Sequence, residues 1–148
     1  MPKPARPPIG LQLSRTARSV SRAFDQALAE AGGSLPVWLV LISLKSQEPD
    51  NQRDLARAVG IREATLTHHL NAMETQALVT RRRDPANRRV HLVELTGAGE
   101  AAFLRLRDAA MAFDQRLRRG FRDDEIAGFE ALLGRLAANV ADKPGTPA

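Results

Sequence analysis

Residues 50–96 contain the pattern that most restricts how this chain can fold. They read as two short helices followed by a hairpin, with Gly60 supplying the turn between the helices and Ile61 filling the corner. The second helix is predicted to begin near Arg62. At about 100° per residue, its apolar positions fall within one narrow stripe; they are Leu66, Leu70, Met73 and Ala77. The pattern therefore predicts a helix–turn–helix that packs one face on a core.

A β-hairpin is predicted directly after the second helix, with strands near 78–83 and 89–95. Residues 84–87 fit a type I turn with proline at its second position, which makes the tip rigid. Three residues of the second strand share one parity and are predicted to face inward: His91, Val93 and Leu95. The tip then projects away from the body of the protein.

Charge is concentrated at this tip, since residues 81–89 hold five arginines against one aspartate. The whole chain carries a formal charge of +5, and residues 1–22 contain no acid. Such a cluster binds phosphates favourably, through counterion release and bidentate guanidinium contacts. An anionic partner is therefore favoured over the alternative that the arginines are only solvated by water. Arginine supplies 19 of the 22 cations, which reflects either phosphate binding or a coding bias.

The outer face of the second helix carries small and polar residues, namely Ala64, Thr65, Thr67, His68 and Asn71. Such a face can enter the major groove of DNA and read base edges. Asn71 suits adenine, His68 suits a guanine acceptor, and a threonine suits a phosphate or a thymine methyl group. An arginine at the hairpin tip can enter a narrow minor groove at the same time. The alternative is that these are ordinary exposed helix residues.

Several other classes of protein are disfavoured. The chain has no cysteine, which excludes disulfides and thiol chemistry, and its longest apolar run, 35–44, is far below the roughly 20 residues that span a bilayer. Residues 1–8 lack the apolar centre of a signal peptide and are predicted to be a disordered basic arm, so a cytoplasmic location is expected. We find no phosphate-binding glycine loop and no nucleophile–base spacing, and His68 and His69 diverge on their helix. No catalytic residue, cofactor or metal site is therefore predicted.

Long amphipathic helices are predicted on both sides of this unit, in regions 9–45 and 97–141. Gly32 and Gly33 end the first helix, Ser34 caps a second helix that is apolar on nearly every side and should be buried, and Thr96 caps the helix after the hairpin. One core of this size cannot cover all of the apolar stripes. A two-fold dimer built from both chain ends is the simplest solution.

From Leu11 to Val140 the sequence resembles the MarR family of winged helix–turn–helix regulators. One motif runs from Ala58-Val59-Gly60-Ile61 through Leu66 and Leu70 to Leu78-Val79. The more specific motif is Asp84-Pro85-Ala86-Asn87-Arg88-Arg89 followed by Leu95-Thr96 and Gly99. Three positions depart from the family pattern: Arg62 stands where a capping residue is common, Ala77 where glycine is common, and Asn87 where aspartate is common.

The length of the chain and the lack of a linker-like stretch predict a single domain over residues 1–148. The resemblance implies that its helical regions form a dimer interface and that residues 50–96 bind DNA. It matches Arg88 with the family's wing-tip arginine and Thr65, Thr67 and His68 with recognition-helix positions. It also implies a pseudo-palindromic DNA site and a small aromatic effector bound between the dimer helices and the winged unit. Three aromatic residues are candidates to line that cavity or to fill the core: Phe24, Trp38 and Phe113.

The predicted fold is therefore mainly α with a small β-hairpin wing, and the predicted function is a dimeric, ligand-responsive transcriptional repressor. The predicted DNA contacts are Arg62, Ala64, Thr65, Thr67, His68, Asn71, Arg82, Arg88 and Arg89. Two alternatives remain open, a winged-helix protein-interaction module and a non-specific architectural DNA-binding protein. Only the regulator prefers one duplex sequence strongly over others.

Overall fold

A computed structural model describes residues 5–141 of the protein, which form a mainly helical fold with one two-stranded sheet. The elements are α1 (Ile9–Glu30), α2 (Leu35–Gln47), α3 (Gln52–Val59), α4 (Glu63–Thr75), β1 (Val79–Arg83), β2 (His91–Leu95), α5 (Gly97–Arg118) and α6 (Asp123–Val140). This confirms the predicted fold class. Of the predicted basic arm, residues 1–4 lie outside the described range, and residues 5–8 are exposed and form neither helix nor strand. The described part of the chain divides into two compact units, residues 5–113 and residues 114–141.

The first two helices begin and end where local signals predict. Gly32 follows α1 with a φ of 83°, a left-handed conformation that suits glycine. The Ser34 hydroxyl accepts a hydrogen bond from the Val37 amide at 3.4 Å, and Pro36 lies in the first turn of α2. The buried residues of α2 are Trp38, Val40, Leu41 and Ser43. Burial around so much of its circumference confirms that α2 is a core helix.

The helix–turn–helix is made by α3 and α4. The Asn51 side chain caps α3 by accepting from the Asp54 amide at 2.9 Å, and Gly60, with a φ of 81°, makes the turn. On α4 the buried residues are Leu66, Leu70 and Met73. They join a core that draws on every element of the first unit except β2, which packs on it from the edge; its other large members include Leu28, Leu41, Leu55, Val79 and Leu106. This packing fixes which side of α4 faces outward.

The end of α4 corrects the prediction that Ala77 belongs to the buried stripe. α4 ends at Thr75, and Ala77 is exposed with a φ of 57°. The Leu78 amide donates to the Met73 carbonyl at 2.9 Å, and the Ala77 amide donates to the Glu74 carbonyl at 2.9 Å. These two bonds form a Schellman ending, which requires a left-handed residue at this position. The chain therefore leaves the helix before periodicity would bring Ala77 onto the core.

Substitution of Ala77 by glycine is expected to stabilise the protein by about 0.5 to 1 kcal/mol. The left-handed conformation costs an L-residue roughly 1 to 2 kcal/mol, and the greater freedom of glycine in the unfolded chain offsets only part of that gain. The matched control is Ala72→Gly, an exposed position within α4, which should cost about 1 kcal/mol. Chemical unfolding of both variants checks the prediction, and destabilisation by Ala77→Gly would contradict it.

The hairpin pairs β1 and β2 antiparallel, with Val79 opposite Leu95 and Arg83 opposite His91. Val93 and Leu95 are half-buried against the core as predicted, but His91 is exposed, which corrects the prediction that it faces inward. The reason is position along the strand, because the hairpin has already left the core at the Arg83–His91 pair. Alternation along a strand determines which face of the sheet a side chain lies on, but it does not determine whether that face is buried at that position.

A compact joint connects the hairpin to α5. The Thr96 amide donates to the Leu78 carbonyl at 3.1 Å, and the Thr96 hydroxyl donates to the Ala77 carbonyl while accepting from the Gly99 amide at 3.0 Å. This confirms Thr96 as the cap of α5. Gly99 is buried directly against Leu78, and a Cβ atom at Gly99 would overlap the Leu78 carbonyl oxygen. The end of α4, the hairpin and the start of α5 thus meet at one point.

The second unit consists of the end of α5, the turn after it and α6. Glu125 caps α6 by accepting from the Arg122 amide at 3.0 Å, and three acids occupy the first turn, where they favour the helix dipole. The hydrogen bond that Arg118 donates to the Asp114 carboxylate, together with the charge of that carboxylate, raises the pKa of Arg118. α6 has no buried residue, and large apolar side chains on it are exposed: Phe129 at 55%, Leu132 at 53% and Val140 at 83%. The apolar stripe of α6 is therefore available to a partner.

Within residues 5–141, no single helix has the length and apolar character needed to cross a membrane. Only α1 and α2 taken together, with a bend of 77° between them, reach that length and composition.

Candidate nucleic-acid interface

The outward side of α4 presents a short-chained polar face. Ala64, Thr65 and His68 are exposed, opposite the buried leucines of the same helix. Arg62 is also exposed and occupies the position before α4, where its side chain makes no capping hydrogen bond. The guanidinium of Arg62 therefore does not cap the start of α4. A face built this way can approach base edges without steric hindrance from long acidic side chains.

Thr67 is held by neighbouring residues. Its hydroxyl donates to the Glu63 carbonyl at 2.9 Å and accepts from the Gln52 side-chain amide at 2.7 Å. The residue is half-buried at the contact between α3 and α4. The hydroxyl therefore joins the two helices, and the methyl group is the part that remains for an outside contact. Nothing in the sequence spacing singled out Gln52 as the partner.

Asn71 and Arg81 form a second polar contact, between α4 and β1. Arg81 donates from Nη2 to Asn71 Oδ1 and from Nε to Glu74 Oε2, the latter at 2.9 Å. The Arg81 side chain is only 19% exposed. One of the five arginines of the hairpin is therefore engaged within the protein, a pairing that depends on the fold and is not evident from the sequence.

The other hairpin arginines differ in their partners. Arg82 donates twice to Glu94 Oε1, at 3.2 and 2.8 Å, across the two strands. Within the part of the chain that the structure describes, Arg83, Arg88 and Arg89 form no ion pair with an acid, and all three are exposed. The positive charge of the hairpin therefore concentrates toward its tip. Arg83 was not among the predicted contacts, although it lies within the same arginine run.

Two consecutive turns shape the tip. The Asn87 amide donates to the Asp84 carbonyl at 3.2 Å, in agreement with the predicted turn at 84–87. The Val90 amide then donates to the Asn87 carbonyl at 2.9 Å, which closes a second turn that the sequence did not indicate. In each turn the first side chain also accepts a backbone hydrogen bond, Asp84 from Ala86 at 2.9 Å and Asn87 from Arg89 at 3.2 Å. The side-chain oxygen of Asn87 thus accepts the hydrogen bond that an aspartate would accept at this position. Together the two turns make the tip rigid.

A cleft of about 330 Å³ opens at the root of the wing. It brings the beginnings of α3 and α4 together with the start of β2, and its lining residues are Asn51, Gln52, Arg53, Glu63, Arg89, Val90 and His91. Arg89 is thereby placed next to the helix–turn–helix, so the wing and α4 border one continuous surface. The rings of His68 and His69 meet edge to face at 5.7 Å, and within residues 5–141 no group of three or more His, Cys, Asp or Glu residues could hold a metal ion.

The three aromatic candidates for an effector cavity pack in stacked pairs. Phe24 stacks on Phe113 with ring centroids 5.1 Å apart, and Trp38 stacks on Phe103 at 5.8 Å. Trp38 and Phe113 are each 8% exposed. In this conformation the rings contribute to packing, which agrees with their reading as core residues.

Two helices joined by a tight turn, with an exposed polar recognition face and a rigid arginine-tipped hairpin, define a winged helix–turn–helix protein of the DNA-binding class. The sequence profile of the MarR family matches residues 34–91, which cover α2, the helix–turn–helix and most of the wing. Over this region the chain is similar to the MarR family of transcriptional regulators.

Solved structures of regulators agree with this assignment over nearly the whole chain. The repressor CouR bound to a 23-mer DNA duplex is 27% identical, with a TM-score of 0.77 over 88% of this chain and 92% of that one. CouR from Rhodococcus jostii RHA1 bound to p-coumaroyl-CoA is 26% identical, with a TM-score of 0.70 over 91% and 95%. Bordetella bronchiseptica BpsR, whose DNA binding is regulated by 6-hydroxynicotinic acid, is 25% identical, with a TM-score of 0.73 over 87% and 98%.

Proposed function

We propose that this protein is a cytoplasmic transcriptional repressor that binds a pseudo-palindromic operator in double-stranded DNA as a homodimer and responds to a small aromatic effector. The observation that carries the proposal is the continuous surface formed by the polar face of α4 together with Arg83, Arg88 and Arg89 near the wing tip, which form no ion pair with an acid within residues 5–141. We further propose that residues 1–148 act as one domain and that the protein is a regulator without enzymatic activity.

Within this proposal, α4 occupies the major groove and the wing lies over the adjacent minor groove. Thr65 and His68 contact base edges, with Ala64 allowing close approach, while Arg62 binds a backbone phosphate. The Thr67 methyl group faces a thymine, because its hydroxyl is engaged with Gln52 and Glu63. Arg88 enters the minor groove, and Arg82 and Arg89 contact flanking phosphates.

The dimer is supported by the exposed apolar residues near the two ends of the described chain, such as Ile9, Phe121 and Phe129. Side chains of this size are rarely left in water along a whole helix face. A two-fold axis relating the α1, α5 and α6 faces of two copies sets the recognition helices about one DNA turn apart. The operator then has two related half-sites.

For the effector, the ligands named in the similar structures are aromatic: p-coumaroyl-CoA for CouR and 6-hydroxynicotinic acid for BpsR. We propose an aromatic acid or its thioester for this protein too. Opening of the stacked pairs that involve Phe24, Trp38 and Phe113 would make the cavity. The effector class is tested by measuring whether such compounds release the protein from its operator, with a non-aromatic acid as the control.

The proposed function is tested by titrating the purified protein, at near-physiological salt, against labelled duplex from the DNA upstream of its own gene. A shuffled duplex of equal composition is the control. A preference of about a thousandfold or more for the upstream duplex supports a specific regulator. Equal binding to every duplex that is tried would point instead to an architectural role.

Arg88→Ala is expected to weaken binding to the operator and to reduce the slope of log affinity against log salt by about 0.9, because one cation is lost from the interface. The reason is that Arg88 is exposed at the tip and forms no ion pair within residues 5–141. Arg105→Ala on α5, an equal change of charge away from the wing, is the control and should leave the slope unchanged. Equal slopes for wild type and Arg88→Ala would remove Arg88 from the interface.

A further inference from the structure

The contact between α4 and β1 fixes the orientation of one side chain on the recognition surface. Arg81 donates to Glu74 and to the side-chain oxygen of Asn71 through two nitrogens of one guanidinium. A guanidinium has five hydrogen-bond donors and no acceptor, so the amide that meets it must present its oxygen. Since Glu74 holds the same guanidinium at 2.9 Å and the side chain is only 19% exposed, Arg81 has little freedom to move away.

Asn71 itself is exposed, and because its oxygen accepts from Arg81, its amide nitrogen is the atom directed away from that contact. It lies three residues after His68, about 60° around the helix, on the flank of the recognition face that adjoins β1. An asparagine that recognises adenine uses both its oxygen and its nitrogen, accepting from the adenine amino group and donating to N7. With its oxygen turned toward Arg81, Asn71 presents the two N–H donors of its amide on the side away from Arg81.

We propose that Arg81 is a positioning residue that makes Asn71 a reader of hydrogen-bond acceptors, so that Asn71 selects guanine over adenine at the base pair it contacts. This inference rests on the proposed function. Guanine presents two acceptors, N7 and O6, and no donor on its major-groove edge, whereas adenine presents N7 beside an amino group. The amino group of adenine would meet another donor at Asn71, and like groups repel.

The test is a base-preference profile, measured as the affinity of the full-length protein for every single-base variant of its operator. Wild type should favour guanine at one position in each half-site by roughly five- to 150-fold. Arg81→Met keeps the bulk of the side chain but releases the Asn71 oxygen, so the preference at that position should move toward adenine. Arg82→Met is the matched control, because Arg82 is the next residue of β1 but pairs with Glu94 and not with α4. Loss of its proposed phosphate contact should lower the affinity for every duplex by a similar factor and leave the base preferences unchanged.

A second variant keeps the contact with Arg81 and inverts the outward group. In Asn71→Asp one oxygen still accepts from Arg81, and the other replaces the outward amide nitrogen with an acceptor. Preference at the same position should then move from guanine to cytosine, whose N4 amino group is a donor. This variant decides the question even if Arg81→Met does not fold.

The outcomes separate the inference from the function on which it rests. Selective binding with shifted preferences in Arg81→Met and Asn71→Asp, and with the wild-type profile in Arg82→Met, supports the inference. Selective binding by wild type in which the Asn71-dependent position favours adenine, or in which both variants keep the wild-type profile, overturns it and leaves the repressor assignment intact. Absence of any sequence preference in the wild-type protein overturns the proposed function itself.

Discussion

Replacement of Gly99 by alanine is expected to destabilise the protein by about 1 to 3 kcal/mol, because there is no room for the added methyl group. The methyl group would overlap the Leu78 carbonyl oxygen. That carbonyl belongs to the backbone and accepts from the Thr96 amide at 3.1 Å, so it cannot move without breaking the joint between the hairpin and α5. The glycine in the motif after Leu95-Thr96 is thus explained by close approach, since no left-handed conformation is recorded there.

Gly97→Ala is the matched control, because Gly97 lies in the same first turn of α5 and a Cβ atom there would have no neighbour within 4 Å. Alanine at this position should stabilise the protein by about 0.5 to 1 kcal/mol through its higher helix propensity. In denaturant unfolding, Gly99→Ala should lower the free energy of unfolding and Gly97→Ala should raise it. A neutral Gly99→Ala would show that the joint can open without cost.

Phe129→Glu is expected to convert the protein to a monomer and to lower its affinity for a two-half-site operator by roughly 10²- to 10⁴-fold, the loss that follows when two linked sites become independent. Phe129 is 55% exposed on α6, a helix with no buried residue in the single chain. A charge there would have to be desolvated in any apolar interface between two copies. Light scattering and operator titration measure the two effects.

The control for this experiment is Ala131→Glu, which adds the same charge to an exposed position of α6 on the side opposite its apolar stripe. It also places a glutamate four residues before Arg135, a favourable spacing in a helix. Ala131→Glu should therefore remain dimeric and bind the operator normally. A dimeric Phe129→Glu variant with full affinity would contradict the assignment of α6 to the interface.

Local signals in the sequence were sufficient for most of the fold. Caps such as Ser34 and Thr96, and the glycine turn at Gly60, act within a few residues, so they are readable without any tertiary structure. Ala77 and His91 were predicted wrongly because periodicity was extended past the points where α4 turns away and where the hairpin leaves the core. In both cases the type of element was predicted correctly, but the point at which its buried face ends was not.

The partners of the candidate site residues could not be predicted in the same way. The Thr67 hydroxyl and the Asn71 oxygen are occupied by Gln52 and Arg81, which come from other elements of the fold. The sequence placed both residues on the outer side of the second helix but could not indicate which of their atoms would be in use. The ion pairs of Arg81 with Glu74 and of Arg82 with Glu94 could not be predicted for the same reason.

The joint at Leu78 has a mechanical consequence. The Leu78 amide donates to the last turn of α4, and the Leu78 carbonyl accepts from the Thr96 amide at the start of α5. Although the hairpin separates α4 and α5 in sequence, hydrogen bonds to one residue thus connect the end of α4 with the start of α5. Leu78 is therefore a fixed point about which α4, a helix of 13 residues and about 20 Å, can rotate. If α4 turns rigidly with α5, a tilt of about 6° displaces its far end by about 2 Å, which is comparable to the length of a hydrogen bond. On this geometry, a small rotation of α5 would be enough to move the far end of α4 out of hydrogen-bonding range of DNA while both helices stay folded.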